Sequence, residues 1–166
     1  MSSKHAAARG GRELTLLILK LLSKREEIPK ELFENKKQQS RKLREMRRRE
    51  YITPKNIPTR RGEHLLNEEK IWKLAIPQPK QWDGKWRMVL YDIPAKRARQ
   101  RNAFRTRLKE LGLELYQHSI WVYPYPLEKI VREISDFYRV SDCVLFAVAQ
   151  ELNREHILKQ KFGLRS

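Results

Sequence analysis

Side chains able to neutralise phosphate dominate this 166-residue sequence: 37 Lys and Arg stand against 20 Asp and Glu, for a formal net charge of +17. Such an excess repels itself and points to a polyanionic partner. Two runs concentrate it. Residues 36–49 hold eight Lys or Arg and one acid; residues 95–109 hold seven (Lys96, Arg97, Arg99, Arg101, Arg105, Arg107, Lys109) and no acid. A charge run is usually a solvated helix face, so its weight depends on the element that carries it. Other chemistries have less support. His5, His64, His118 and His156 share no metal-ligand spacing and Cys143 sits in an apolar run, so no zinc site is expected. No Gly-x-x-x-x-Gly-Lys phosphate loop and no Gly-x-Ser-x-Gly elbow occurs. His118, between Gln117 and Ser119, has the chemistry of a proton carrier, but a lone His is more often a surface or hydrogen-bonded one. Asp92 is the carboxylate best placed for a chemical role; its structural alternative is to cap a helix starting near Pro94.

The elements that must position these residues fall into two sets, separated at Ile76-Pro77-Gln78-Pro79-Lys80, where two prolines two apart fit neither helix nor central strand. Residues 1–80 carry net +11 and residues 81–166 net +6. In the first set, Leu14, Leu17, Ile18, Leu21 and Leu22 keep helical spacing, with Leu16 and Leu19 making other faces apolar too. Pro29 opens a short second helix over Lys30–Glu34. A third helix runs from about Gln38 to Glu50, with Leu43 and Met46 inward and Gln38, Arg41, Glu45 and Arg48 outward, flanked by Lys37 and Arg44. Residues 51–62 predict a short two-strand wing around Lys55-Asn56, and Gly62 opens a last helix over about Glu63–Leu74. Three helices followed by a basic hairpin is the winged helix-turn-helix order, expected over 12–75. In that frame Gln38 and Arg41 reach base edges, while Lys37, Lys42, Arg44, Arg48, Lys55, Arg60 and Arg61 supply further DNA contacts, those of the wing to phosphates.

In the second set, after a linker over 76–84, the segments read strand (Trp86–Asp92), basic helix (Lys96–Leu111, closed by Gly112), two strands (Leu113–Gln117, Ser119–Tyr123), helix (Pro126–Tyr138) and strand (Asp142–Ala149). The order βαββαβ predicts a ferredoxin-like domain over 85–150, followed by a basic C-terminal tail over 151–166. The fold class expected is therefore α+β: an N-terminal winged helix-turn-helix, then a ferredoxin-like domain. Trp86, Met88 and Leu90 alternate with Val89 and Tyr91, so the first strand is apolar on both faces, as is Cys143–Val148. Such a sheet must bury its second face, and a second copy of the same sheet is the cheapest cover; a homodimer through the sheet is expected. Trp82, Trp86 and Trp121 are expected in the core or at that interface. The apolar run near Leu14–Leu22 is too short to span a bilayer, residues 1–11 are followed by no cleavable apolar core, and one cysteine suits a reducing cytoplasm.

The stretch Trp82-Asp83-Gly84-Lys85-Trp86-Arg87-Met88-Val89-Leu90-Tyr91-Asp92-Ile93-Pro94 resembles the start of the middle domain of PaaX-type transcriptional repressors, and Leu111-Gly112, Gln117–Val122 and Tyr123-Pro124-Tyr125-Pro126 continue the resemblance. That middle domain is itself similar to CRISPR-associated protein two, the small dimeric partner in spacer acquisition. The winged-helix segment stands in the same order as in those repressors. The repressors' further C-terminal domain has no counterpart up to Ser166, so their aryl-coenzyme A effector binding is not carried over. The resemblance implies a dimeric, double-stranded-DNA-binding transcriptional regulator. The seven cations of residues 95–109 themselves read equally as a phosphate-tracking helix on the dimer flank, with Lys96, Arg97 and Arg99 as further DNA contacts, or as a solvated helix face. The alternative is an adaptation-type protein with a metal-dependent endonuclease or DNA-scaffolding role and a CRISPR integrase as partner. In that family the aspartate matching Asp92 is a divalent-metal ligand, so Asp92 would be both metal-binding and catalytic, with two copies across a dimer axis holding Mg²⁺. An array and an integrase gene beside this one would favour the alternative.

Overall fold

The computed structural model describes residues 3–164, with side chains from Gly11 onward; the side chain of His5 and the last two residues of the expected tail lie outside what is described. The protein is mixed α+β, and the chain divides into two compact units, 1–70 and 71–166.

The first unit carries α1 (Ser3–Ser23), a single 3₁₀ turn (Lys30–Leu32), α2 (Lys36–Arg48) and most of α3 (Arg60–Lys73). Its core is Ile18, Leu19, Phe33, Met46 and Ile52, with Leu43, Tyr51, Leu65 and Leu66 packed against it. The buried stripe of α1 is thus centred on Ile18 and Leu19, and Leu17 is left 41% exposed. The expected second helix shrinks to one turn because Asn35 is the cap of α2: its side-chain oxygen accepts from the Gln38 N–H at 2.9 Å. The expected two-strand wing is one bridge, Ile52 to Pro58. Pro54 and Pro58 have no N–H to extend a ladder. Instead Thr53 N–H donates to Ile57 C=O (2.8 Å) and Thr59 N–H to Tyr51 C=O (3.0 Å). Gly62 lies within α3, not before it, at a close approach that only glycine allows: a Cβ there would run into the Tyr51 carbonyl oxygen and meet Leu19 at 3.0 Å.

The second unit holds an antiparallel four-stranded sheet, β1 (Trp86–Tyr91), β2 (Glu114–Gln117), β3 (Ile120–Tyr123) and β4 (Val144–Ala149), in the order β2-β3-β1-β4. Between them run α4 (Ala98–Glu110) and α5 (Glu128–Phe137), and α6 (Glu155–Phe162) follows β4. Gly112, at φ +86°, ends α4 in the left-handed conformation that glycine adopts freely. One sheet face presents Val89, Tyr91, Trp121 and Tyr123 to Phe104, Leu108, Val131 and Ile134, all buried. Each such fully buried side chain contributes about 1.5–3 kcal/mol. Ile76, in the stretch expected as a linker, is buried in the same core.

The other face corrects the expected tail. Residues 155–162 are helical and place Leu158 against Trp86 and Val122, with Leu152 and Phe162 beside them. Trp86 Nε1 donates to Glu155 at 2.9 Å, Tyr116 Oη to the Asn153 carbonyl at 3.0 Å, and Lys159 lies over the Trp82 ring at 5.4 Å. The chain therefore covers the Trp86 end of this face itself. What it leaves is the cross-strand row Ile120–Leu90–Leu145, with Leu145 70% exposed.

Candidate nucleic-acid interface

The cations of α2 are sorted by the packing of the helix. Met46 is buried and Leu43 packs in the same core. That seating turns Lys37, Gln38, Arg41, Arg44 and Arg48 to the exposed side. Arg41, Arg44 and Arg48, three and four residues apart, line one shallow depression with Glu45. Glu45 is the one acid on the helix, and it holds Lys42 at 3.3 Å and Arg49 at 3.2 Å.

Lys42 departs from the outward set. Its side chain is 10% exposed, and its Nζ donates to the Gly11 carbonyl at 3.0 Å, tying α1 to α2. Gln38 is also partly engaged: its Oε1 accepts from the Glu34 N–H at 2.7 Å. Asn35-Lys36-Lys37-Gln38 carries the Asn-x-x-Gln signature of a reciprocal helix cap, a local signal that could have revealed this.

Lys55 stands exposed on the turn after α2, beside Asn56 in the left-handed conformation (φ +59°). Arg47, which sequence reasoning did not single out, donates to Asn56 Oδ1 at 2.8 Å and ties that turn to α2. At the start of α3, Arg60 is exposed, while Arg61 pairs with Glu50 at 3.5 Å and lies over the Tyr51 ring at 5.7 Å. Of the cations expected to meet DNA in this unit, Lys37, Arg41, Arg44, Arg48, Lys55 and Arg60 present exposed heads, Lys42 is turned in, and Arg61 is partnered.

The second basic run divides too. Lys96 and Arg99 are exposed. Arg97 instead donates to Asp142 at 2.7 Å, which lowers the Asp142 carboxyl and raises the guanidinium. Arg107, read as part of a phosphate-tracking face, is 4% exposed. It donates to the Leu74 carbonyl at 2.7 Å and the Trp72 carbonyl at 3.3 Å, and stacks over the Trp72 ring at 5.2 Å. It closes the last carbonyls of α3, an end that calls for donors. The structure therefore removes Arg107 from any phosphate-tracking role.

Asp92 is exposed just past β1, with its backbone N–H donating to Cys143 C=O at 3.0 Å. Its carboxylate does not cap: Pro94 precedes the 3₁₀ turn Ala95–Arg97, no side chain bonds to that turn's start, and Arg97 stands at the start of α4. Asp92 shares a cleft with Ser119, Asp142, Cys143 and the apolar Leu90, Ile120 and Leu145. Burial pushes the Cys143 thiol up, with the Asp142 hydrogen bond and charge adding to it. A hard cation takes six or more oxygen ligands. Within one chain Asp92 offers one carboxylate and its neighbour Asp142 is held by Arg97, so the residues do not fit such an ion; among the described residues no three His, Cys, Asp or Glu gather to hold one. His118 is exposed in the two-residue turn between β2 and β3, at φ +46°.

The stretch Trp82–Arg87 builds a different device. Arg87, 7% exposed, clamps Asp83 with two bonds of 2.6 Å and donates to the Lys85 and Pro124 carbonyls. Asp83 also accepts from the Lys85 N–H at 3.1 Å, closing a turn that places Gly84 at φ +72°. The guanidinium beside it holds the Asp83 carboxyl at about 2. These residues lock the entry of β1.

Among the described residues no helix is long and apolar enough to cross a membrane. No curated protein and no solved structure matches the chain. Residues 79–160 match the family described as the PaaX protein central Cas2-like domain, a span that takes in the Asp83–Arg87 clamp, all four strands and most of α6. The second unit therefore carries a PaaX-type, Cas2-like domain.

Proposed function

We propose that the protein is a double-stranded-DNA-binding transcriptional regulator. The first unit acts as a winged helix-turn-helix with a minimal wing, and the ferredoxin-like second unit holds two copies together. The observation that carries the reading is the arc of exposed cations, Arg41, Arg44 and Arg48 on α2, on the helix side opposite buried Met46 and preceding the turn that bears Lys55. An α-helix fits a major groove, and a cation on the following turn suits a phosphate. The PaaX-type match supports the same class of role.

The test is a gel shift at low salt with random and selected duplexes. Arg41→Ala should relax sequence preference, at about 1–3 kcal/mol if it reads a base edge, whereas Lys55→Ala and Arg60→Ala should weaken all duplexes alike. Absence of any duplex binding at low salt would remove the reading. The metal-dependent nuclease alternative draws on the Cas2-like character of residues 79–160, but the donor set around Asp92 does not favour it. An integrase partner belongs to that alternative alone.

A further inference from the structure

The two edges of the sheet are built differently. Edge strand β2 is short, shifts register between Leu115 and Gln117, and carries Glu114, which pairs with Lys161 of α6; Tyr116 is tied to the Asn153 carbonyl. Irregularity, charge and a covering element are the devices that stop an edge from pairing with another chain. Edge strand β4 has none of them. Its six residues, Val-Leu-Phe-Ala-Val-Ala, contain no charge and no proline and pair with β1 in unbroken register.

The exposure on β4 lies on both faces of the sheet. Leu145, 70% exposed, shares a face with Leu90. Val148, 53% exposed, is opposite Arg87 and so lies on the face of Val89, the one that meets α4 and α5. A second sheet laid on the free face would cover Leu145 and leave Val148 in water. A strand laid along the edge covers both.

The register also says which backbone groups point outward. Asp92 N–H bonds to Cys143 C=O, so Asp92–Cys143 is a hydrogen-bonded pair and the next pair, Tyr91–Val144, is not. Val144, Phe146 and Val148 therefore turn their backbone groups away from β1. The Val144 N–H is taken by the Ser141 carbonyl. That leaves the Val144 C=O and both groups of Phe146 and of Val148, with no other backbone bond to them among the described residues.

We infer that β4 is the homodimer contact, pairing antiparallel with β4 of a second copy about a two-fold axis at Phe146 to join two four-stranded sheets into one of eight. The inference deepens the homodimer part of the proposed function and rests on it. In this register the two Phe146 residues exchange both backbone bonds, and each Val148 N–H meets the Val144 C=O of the other copy, the one outward carbonyl whose own N–H is already spent. Leu145 lies beside Ala147 of the second copy on the free face, and Val148 lies beside Val144 on the helix face. No charged side chain enters the paired segment, so the strand meets its own copy without like-charge contacts.

The test uses the full chain at tens of micromolar in light scattering, with circular dichroism to check folding. Wild type should be a dimer and Val148→Lys a folded monomer. Two cross-linking variants, Leu145→Cys and Ala147→Cys, each with Cys143→Ser, address the register directly. The two positions would face each other across the interface as a non-hydrogen-bonded pair with Cα atoms about 4.5 Å apart, within disulfide reach. Oxidation of the mixture should give covalent dimers far in excess of either variant alone, and this readout stands even if Val148→Lys fails to fold. A dimer that persists in folded Val148→Lys, or a mixture that does not cross-link, overturns the edge contact and leaves the homodimer reading standing. A monomeric wild type overturns both, while DNA binding is read separately in the gel shift.

Discussion

Asp92 and Asp83 lie nine residues apart and have opposite situations. Asp92 is exposed, caps nothing and accepts no hydrogen bond, so Asp92→Asn should change stability by less than about 0.5 kcal/mol in thermal unfolding. Incubation of wild type with RNA or duplex DNA and Mg²⁺ or Mn²⁺ should give no cleavage above background, since no second free acid stands beside Asp92 to complete a metal site or move a proton. Cleavage by wild type that disappears in Asp92→Asn would promote the nuclease reading. Asp83 is clamped by a buried arginine, and its carboxyl sits at about 2 against an ordinary 3.8. A depressed value means the stabilisation is present above about pH 4 and is lost as pH falls through 2. Asp83 is half-exposed, so screening leaves on the order of 1 kcal/mol for this pH-dependent part. Asp83→Asn should unfold at lower temperature than wild type at pH 7, because it strips the buried guanidinium of its counter-ion. The gap between the two should narrow in melts run from pH 4 to pH 2; a gap independent of pH would mean the ion pair contributes nothing.

At the scale of elements, α3 depends on a glycine for its closest approach. Helix propensity alone would favour Gly62→Ala by about 1 kcal/mol. A Cβ at that position, however, meets the Tyr51 carbonyl oxygen, backbone that cannot swing aside, and overpacking of this kind costs about 1–3 kcal/mol. The steric effect should win, and the variant should melt several degrees below wild type, whereas Gly11→Ala, where a Cβ meets nothing, should not. Helix α2 was legible because its apolar positions, Leu43 and Met46, recur at helical spacing and its cap is a local Asn-x-x-Gln motif. The wing is overdrawn in the sequence: two short segments either side of the polar Lys55-Asn56 turn suggest two strands, but prolines at 54 and 58 leave one bridge. Segment 151–166 was read as a tail because its charges masked two apolar positions, Leu158 and Phe162, whose partners lie far back in the chain.

At the scale of the molecule, the charge excess makes its own prediction. If about five cations per copy meet phosphates, the logarithm of the duplex affinity should fall against the logarithm of salt with a slope near −9 for a dimer and about half that for a monomer. A slope near zero would mean that the basic faces are only solvated. The strand-and-helix order of residues 85–149, the α+β class, the two basic helices and the PaaX-type character of residues 82–126 could all be read from the sequence, since each rests on local periodicity, turn residues or a short motif. Which cations are free and which are structural was decided only by the tertiary structure. Lys42 meets Gly11 from 31 residues away, Arg107 meets Leu74 from 33, and Arg97 meets Asp142 from 45. In one dimension these side chains are indistinguishable from Arg41, Arg44 or Lys96. The same holds for the free sheet face, part of which α6 covers through Trp86 and Glu155, 69 residues apart. A hydrophobic pattern states that a face must be buried, but what buries it depends on how the chain returns in space.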